Sequence, residues 1–555
     1  MGIQYRENNG LGQEVEGAHH PVVVCSIGDA AMTEGEVAEA LHMAALKQLP
    51  IIYVVQDNEW DISAHSSEIR FGDATTFAKA FPGIEVLSLD GHDYIQSVEA
   101  MEVAFRTVRT ERRPVLVHAK VPLLGHHTSG VRREWYRDDL DEASKRDPLP
   151  HFRSALLDSG WNEGDLDRID QQAEERVAQA FNEARSAAEP KPDDLMPTAL
   201  APTPVDTETG DRVGEDTEPQ IMVDQALHAM QEILTGDATT LLYGQDVGGR
   251  LGGVFREAAT LAQKFGDHRV FNTPIQEAFI VGSTVGMSAV GLKPIVEIQF
   301  ADYLWPGLNQ LFTELSRSYF LSNGQWPVNS VIRVPIGAYG SGGPYHSSSI
   351  ESVLTSIRGI KVAYPSCGAD LKGLLKAAVA DPNPVVVLEH KGLYWSKVPG
   401  TEAAKTAEPS ADYLLPFGTA RTVLAAEKQP DGAATLAIIT YGRGVHWALE
   451  AAAEFPGRIE IVDLRSLAPY DGDHVVESVK RNHRCLVLTE EPPTGSFAQA
   501  LAGSISEQAF EHLDAPVRCI GSMEVPAIPL NESLEAAVLP NASRVAAACA
   551  SLLAY

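Results

Sequence analysis

Two runs of contiguous apolar residues, Val22–Ile27 and Ile51–Val55, bracket a stretch with helical periodicity, and this pattern limits the fold more than any other feature. A strand that is apolar on both faces needs cover on both, as in a parallel sheet flanked by helices. Between the runs, Thr33 and Glu36 form a capping-box pattern, and a helix through about Lys47 lines up Val37, Leu41 and Ala44. Strand, helix and strand of this length make a right-handed βαβ unit. The alternation returns at Thr240–Tyr243, Ile295–Phe300, Ser330–Val334, Lys361–Tyr364 and Val385–Glu389, and again at Leu436–Thr440, Ile459–Val462 and Cys485–Thr489. The expected class is α/β, with parallel sheets flanked by helices in three α/β domains.

Composition marks the boundaries. The stretch 189–220 carries Pro190, Pro192, Pro197, Pro202, Pro204 and Pro219 among acidic residues, which reads as a linker. A second break spans 397–412. The organisation expected is a first domain at 1–188, a domain at 221–396 and a third at 413–555. With 44 basic against 75 acidic residues, the net charge of −31 repels phosphate backbones and anionic lipid, so nucleic acid and membrane are not expected partners. Five scattered cysteines and a polar N-terminal stretch without an apolar secretory core point to the cytoplasm.

Three constellations carry chemistry. Gly28-Asp29 and Gln56-Asp57-Asn58 follow consecutive strands, so Asp29 and Asn58 sit where open α/β sheets bind ligands. Gly28 permits close backbone approach. A carboxylate, a side-chain amide and a nearby main-chain carbonyl are hard oxygen ligands suited to Mg2+, although the same residue types also cap and turn chains. The loop Gly125-His126-His127-Thr128-Ser129-Gly130, followed by Arg132, Arg133 and Arg137, is cationic and able to move protons near neutral pH, or is simply a solvated polar loop. Finally, Thr273 as N-cap, Pro274 at the first helical position and Gln276 closing a capping box would start a helix that carries Glu277 into the apolar run Ala278–Gly286. A carboxyl group there is costly to bury unless paired or protonated; the plainer role is to complement the helix dipole.

The stretch "AMTEGEVAEALHMAALKQLPIIYVVQDNEWDIS" resembles the alpha subunit of pyruvate and branched-chain 2-oxoacid dehydrogenases, and its Gly-Asp opening resembles the thiamine-diphosphate motif. "FNTPIQEAFIVGSTVGM", "VEIQFADYLWPGLNQL" and "GAYGSGGPYHSSSIESVL" resemble the beta subunit, and "VDLRSLAPYDGDHVVESV" resembles its C-terminal domain. The resemblance implies a thiamine-diphosphate-binding, transketolase-like fold with both subunits fused in one chain. It implies that Asp29, Asn58 and the Trp60 carbonyl hold Mg2+ and that Gly28, Ala31 and Ile62 lie against the cofactor. By the same likeness His127 binds diphosphate, Glu277 hydrogen-bonds the aminopyrimidine, and Ile275 and Tyr303 lie beside that ring. His127, Glu277 and His346 become the catalytic residues, Thr128 stands where some relatives are phosphorylated, and Asp381 and Asn383 stand where some bind K+.

The reaction implied is oxidative decarboxylation of a 2-oxoacid, branched-chain favoured over pyruvate, with acyl transfer to the lipoyl group of a dihydrolipoyl acyltransferase partner. In this family the two halves of the site come from different protomers, so a homodimer or higher oligomer is expected. Two departures stand out. Gly is replaced by Ala30 after Asp29, and Gln56 replaces an arginine found in some relatives near the diphosphate. Alpha subunits also carry a long segment ahead of the Gly-Asp motif, whereas 27 residues precede Gly28 here, which reads as an N-terminally shortened part with weak cofactor affinity. The competing expectations are a transketolase or deoxyxylulose-phosphate synthase, which transfers to aldehydes, and a non-catalytic assembly partner of the lipoyl-bearing core.

Overall fold

Four parallel strands, β1 (Val23–Gly28), β2 (Ile51–Asp57), β3 (Glu85–Asp90) and β4 (Val115–Lys120), make the first sheet in the order β1-β2-β4-β3. The computed structural model describes residues 1–11, 20–429 and 432–555, and forms two units, Met1–Asp194 and Leu195–Tyr555. In the first unit β2 is central, with Ile52 and Val55 fully buried, but β1 is an edge strand and Val24 is 48% exposed. The expectation of a buried first strand therefore fails: an apolar run does not reveal whether both neighbours are present. The capping box also does not form. Ala30–Thr33 winds as a 3-10 turn in which the Thr33 hydroxyl donates to the Ala30 carbonyl, and the helix Gly35–Lys47 begins after Glu34 without a side-chain cap. That helix buries Leu41 and Ala44 with Tyr53, Val55 and Leu116.

The second unit holds two sheets. Strands β5 (Thr240–Gly244), β6 (Val270–Asn272), β7 (Lys293–Glu297), β8 (Ser330–Ile336), β9 (Lys361–Ala363) and β10 (Pro384–His390) pair in parallel, and β14 (Ser466–Ala468) adds to β9 antiparallel. Strands β12 (Leu436–Thr440), β13 (Ile459–Asp463), β15 (Cys485–Leu488) and β16 (Arg518–Ile520) form the other sheet, with β11 (Arg421–Leu424) antiparallel at its edge. Because β14 crosses into the neighbouring sheet, the two expected domains at 221–396 and 413–555 sit within one unit.

The stretch read as a linker is divided. The boundary between units falls at 194/195, and from Ala201 onward the chain is strapped to the second unit. Ala201 and Val205 are buried, Asn383 brackets the Ala201 peptide through bonds of 2.7 and 2.8 Å, Arg212 pairs with Asp370 at 3.1 Å, and Thr209 bridges to Leu414. The break at 397–412 is likewise packed, with Thr401 and Ala404 buried and Thr406 bridged to Gln220. Proline and acidic content misled here because polar side chains and main-chain bonds, with only a few small apolar residues, anchor both stretches.

Arg333 on β8 is fully buried and paired with Glu389 on β10 at 2.7 and 2.8 Å and with Glu297 on β7 at 2.9 Å. Replacing it by methionine leaves buried carboxylates uncompensated, a change worth about 3–5 kcal/mol; Arg333→Met should lower Tm strongly in a thermal melt. A second buried carboxyl, Glu491, accepts from Ser352, and burial pushes its pKa up to about 7. Its proton is held more tightly folded than unfolded, so its contribution is complete below the ordinary carboxylate range and is lost as pH rises to about 7. Glu491→Gln should therefore stabilise the chain at pH 8 relative to pH 5, on the order of 1–3 kcal/mol, read as a pH-dependent difference in Tm from the parent.

Candidate active site

The register Gly28↔Gln56 sets Asp29, one residue past β1, next to Asp57 at the end of β2. Asp29 is buried, and the open space over Gly28 would let a Cβ meet nothing within 4 Å. Ala30 adopts an ordinary right-handed turn, so glycine is not needed there. Two side chains that sequence reading missed complete the cluster. Arg70 Nη2 lies 2.6 Å from Asp29 Oδ2 and 3.6 Å from Asp57 Oδ1, and buried His118 on β4 bonds Asp57 Oδ2 at 2.8 Å. Burial, then the hydrogen bond to Asp57, pushes the Asp29 carboxyl up to about 6.

Asn58 Oδ1 accepts from Trp60 N–H at 3.0 Å across Glu59, whose φ of +66° lies in the left-handed region. This turn fixes Trp60, which is buried edge-on against His65 and Tyr136 with the Arg137 guanidinium over its ring at 5.4 Å. Arg137 is accordingly no loose loop cation: its side chain is buried, pairs with Asp139 at 2.7 Å and donates to the Leu123 carbonyl. Elsewhere in the histidine loop His126, His127 and Arg132 are exposed while Thr128 and Arg133 are half-buried; Thr128 bridges Val131, and His126 Nδ1 accepts from Arg133 N–H at 3.2 Å. Ile62 and Ala31 are exposed in the same unit.

In the second unit, the helix Glu277–Ala289 begins at Glu277 itself. The Thr273 N–H is drawn to the Gly244 carbonyl and its hydroxyl to the Pro274 carbonyl, so the expected cap is not made and Gln276 holds the N-cap position without a side-chain bond. Glu277 is buried, and its Oε1 accepts from Gln245 Nε2 at 2.7 Å, a partner not foreseen. Tyr303 and His346 meet directly, hydroxyl to Nε2 at 2.9 Å, and both rings pack on Phe300. Burial, then Asp302 and Glu277, pushes the Tyr303 hydroxyl pKa up. Behind Phe300 lies Lys391, buried, with Nζ lacking a hydrogen-bond partner and 5.5 Å from the Phe300 and Tyr339 rings; burial lowers its pKa to about 7. Ile275 is exposed.

Residues 6–193 match the model of the dehydrogenase E1 component, 221–396 that of the transketolase pyrimidine-binding domain, and 425–545 that of the transketolase C-terminal domain. The 2-oxoisovalerate dehydrogenase subunit beta of Bacillus subtilis is 36% identical over 330 residues, covering 59% of this chain and 96% of that protein. The chain belongs to the 2-oxoacid dehydrogenase E1 family. It joins alpha-type and beta-type parts in one polypeptide. Among other E1 relatives, the 2-oxoisovalerate dehydrogenase subunit beta of Pseudomonas aeruginosa is 38% identical over 341 residues (59% of this chain, 93% of that one). The pyruvate dehydrogenase E1 component subunit beta of Acholeplasma laidlawii is 39% identical over 294 residues, or 53% and 86% of the two chains.

The E1 and pyrimidine-binding parts imply thiamine diphosphate, and the residues present fit it. Asp29 offers a buried Oδ2 that makes no directional hydrogen bond and is answered only by the Arg70 guanidinium, next to the open space over Gly28. In this E1 chain the side chains of Asp381 and Asn383 are engaged otherwise: Asp381 pairs with Lys361 at 2.5 Å and with Asn383, which holds Ala201. A potassium ion there would depend on main-chain carbonyls. Of the residues that sequence reading missed, Asp57, Gln245 and Lys391 had a signal in their adjacency to motif residues or strand ends; Arg70 and His118 had none, since only folding brings them to the cluster.

Tyr303→Phe removes one half-buried hydrogen bond, worth about 0.5–1.5 kcal/mol. Its Tm should fall slightly while the fold, by circular dichroism, stays that of the parent.

Proposed function

We propose that the chain carries out thiamine-diphosphate-dependent oxidative decarboxylation of a 2-oxoacid, with branched-chain substrates favoured over pyruvate, and passes the acyl group to the lipoyl group of a dihydrolipoyl acyltransferase partner. The observation that carries this reading is Glu277: a carboxyl buried at the start of an apolar helix in a pyrimidine-binding domain, with one oxygen committed to Gln245. Residues Asp29, Asn58 and the Trp60 carbonyl would hold Mg2+, with Gly28, Ala31, Ile62 and His127 toward the diphosphate and Ile275 and Tyr303 toward the pyrimidine. A metal held there would neutralise and orient the diphosphate. Bound thiamine diphosphate supplies the electron sink that lets the 2-oxoacid lose carbon dioxide.

The side chains manage protons and position. Gln245 fixes the rotamer of Glu277, so its second oxygen is aimed and can share a proton at a ring nitrogen. Tyr303 and His346 form a hydroxyl–imidazole pair across which a proton can be passed. His127, on an exposed loop, is available to the anionic end and to the incoming acceptor. The preference for branched-chain substrates follows the names of the relatives in Bacillus and Pseudomonas. We take the active form to be a homodimer or higher oligomer.

Glu277→Gln keeps the hydrogen-bond geometry but not the transferable proton. Its turnover of 2-oxoisovalerate with a lipoylated acceptor should fall about 100- to 10,000-fold while thiamine diphosphate still binds by calorimetry. Parent-level turnover, or a preference of the parent chain for sugar phosphates, would refute the proposal.

A further inference from the structure

We propose that Arg70 is the built-in counter-cation of this site: it neutralises Asp29 in the metal-free chain and turns to the diphosphate when a divalent ion takes that carboxylate. This rests on the function proposed above. Two buried carboxylates, Asp29 and Asp57, meet at the ends of neighbouring strands, and one guanidinium answers both. The Arg70 side chain is 7% exposed and that of Asp29 is 2% exposed, so neither charge is satisfied by water.

The contact is close but poorly aligned. Asp29 Oδ2 and Arg70 Nε both lack a hydrogen-bond partner, although Nη2 stands 2.6 Å from Oδ2. Charge rather than directional bonding holds the pair, and such a pair exchanges more readily than a bidentate one. A divalent ion on the same oxygen would face the guanidinium at like-charge distance, so both cannot stay. Asp57 gives Arg70 a second anchor at 3.6 Å, and Asp57 is itself held by His118. Freed from Asp29, a planar guanidinium at that anchor is suited to a phosphate group. The paired position on β2, Gln56, is neutral and supplies no such charge.

The test uses the full chain and two probes. Mn2+ alone is titrated by electron paramagnetic resonance, and inorganic pyrophosphate with Mg2+ by calorimetry. Arg70→Met should bind Mn2+ alone at least ten-fold more tightly and pyrophosphate at least ten-fold more weakly than the parent. Arg70→Lys, which keeps a charge if the methionine variant fails to fold, should move both affinities the same way by less. A folded variant whose Mn2+ affinity falls or stays, or whose pyrophosphate affinity stays, overturns the role of Arg70. Uptake of Mn2+ and pyrophosphate by a parent chain that ignores thiamine diphosphate would sink the proposed function and leave the Arg70 exchange standing; a parent that binds neither probe ends both.

Discussion

One guanidinium ties together the strand ends on which the second unit's chemistry hangs. Arg333 reaches from the middle of β8 to Glu297 at the end of β7 and Glu389 near the end of β10, so three adjacent parallel strands are pinned to one another. Phe300 and Tyr303 follow β7, the Tyr339 loop follows β8, and Lys391 follows β10 directly. The Phe300 ring that meets both Tyr303 and His346 is thus set by a backbone that cannot drift. Burying one cation among several carboxyls is a weak source of net stability, but it is a strong constraint on register, because a slipped strand leaves a charge unanswered. Burial, then Glu257, pushes Glu297 well above the ordinary carboxylate range, which keeps the excess negative charge protonated.

The first unit uses the same geometry with smaller means. Its sheet delivers Asp29, Asp57 and His118 from β1, β2 and β4, which are neighbours in the order β1-β2-β4. Parallel strands send their chain ends to one side, so residues far apart in sequence meet there without any long-range motif. The left-handed Glu59 and the Asn58 turn then place the Trp60 carbonyl with little freedom.

Strand positions were legible because apolar runs survive in any sheet whose faces are covered; Leu436–Thr440 matches in full. Neighbour identity was not, which is why β1 proved to be an exposed edge. Helix starts were misjudged at Thr33 and Thr273 for a shared reason: each hydroxyl donates to a nearby main-chain carbonyl instead of accepting from a helix N–H as the pattern supposed. Motif residues on the strand ends were readable. The side chains that answer them, Arg70 and His118, were not, because polar pairing between segments leaves no periodic trace. The roles given to Tyr303 and His346 came from resemblance, and their direct contact was not foreseen.

The strap from Ala201 to Gln220 bears on how such a chain can be divided. A polypeptide cut after Gln220 would strip the Ala201 peptide from Asn383, the Arg212 guanidinium from Asp370 and the backbone pair from Leu414, exposing a polar seam along the beta-type half. A cut at 194/195 leaves that seam closed. The part of the proline-rich stretch from Leu195 onward thus belongs with the half that follows it, and an engineer separating the two subunits into independent genes would have to assign it there.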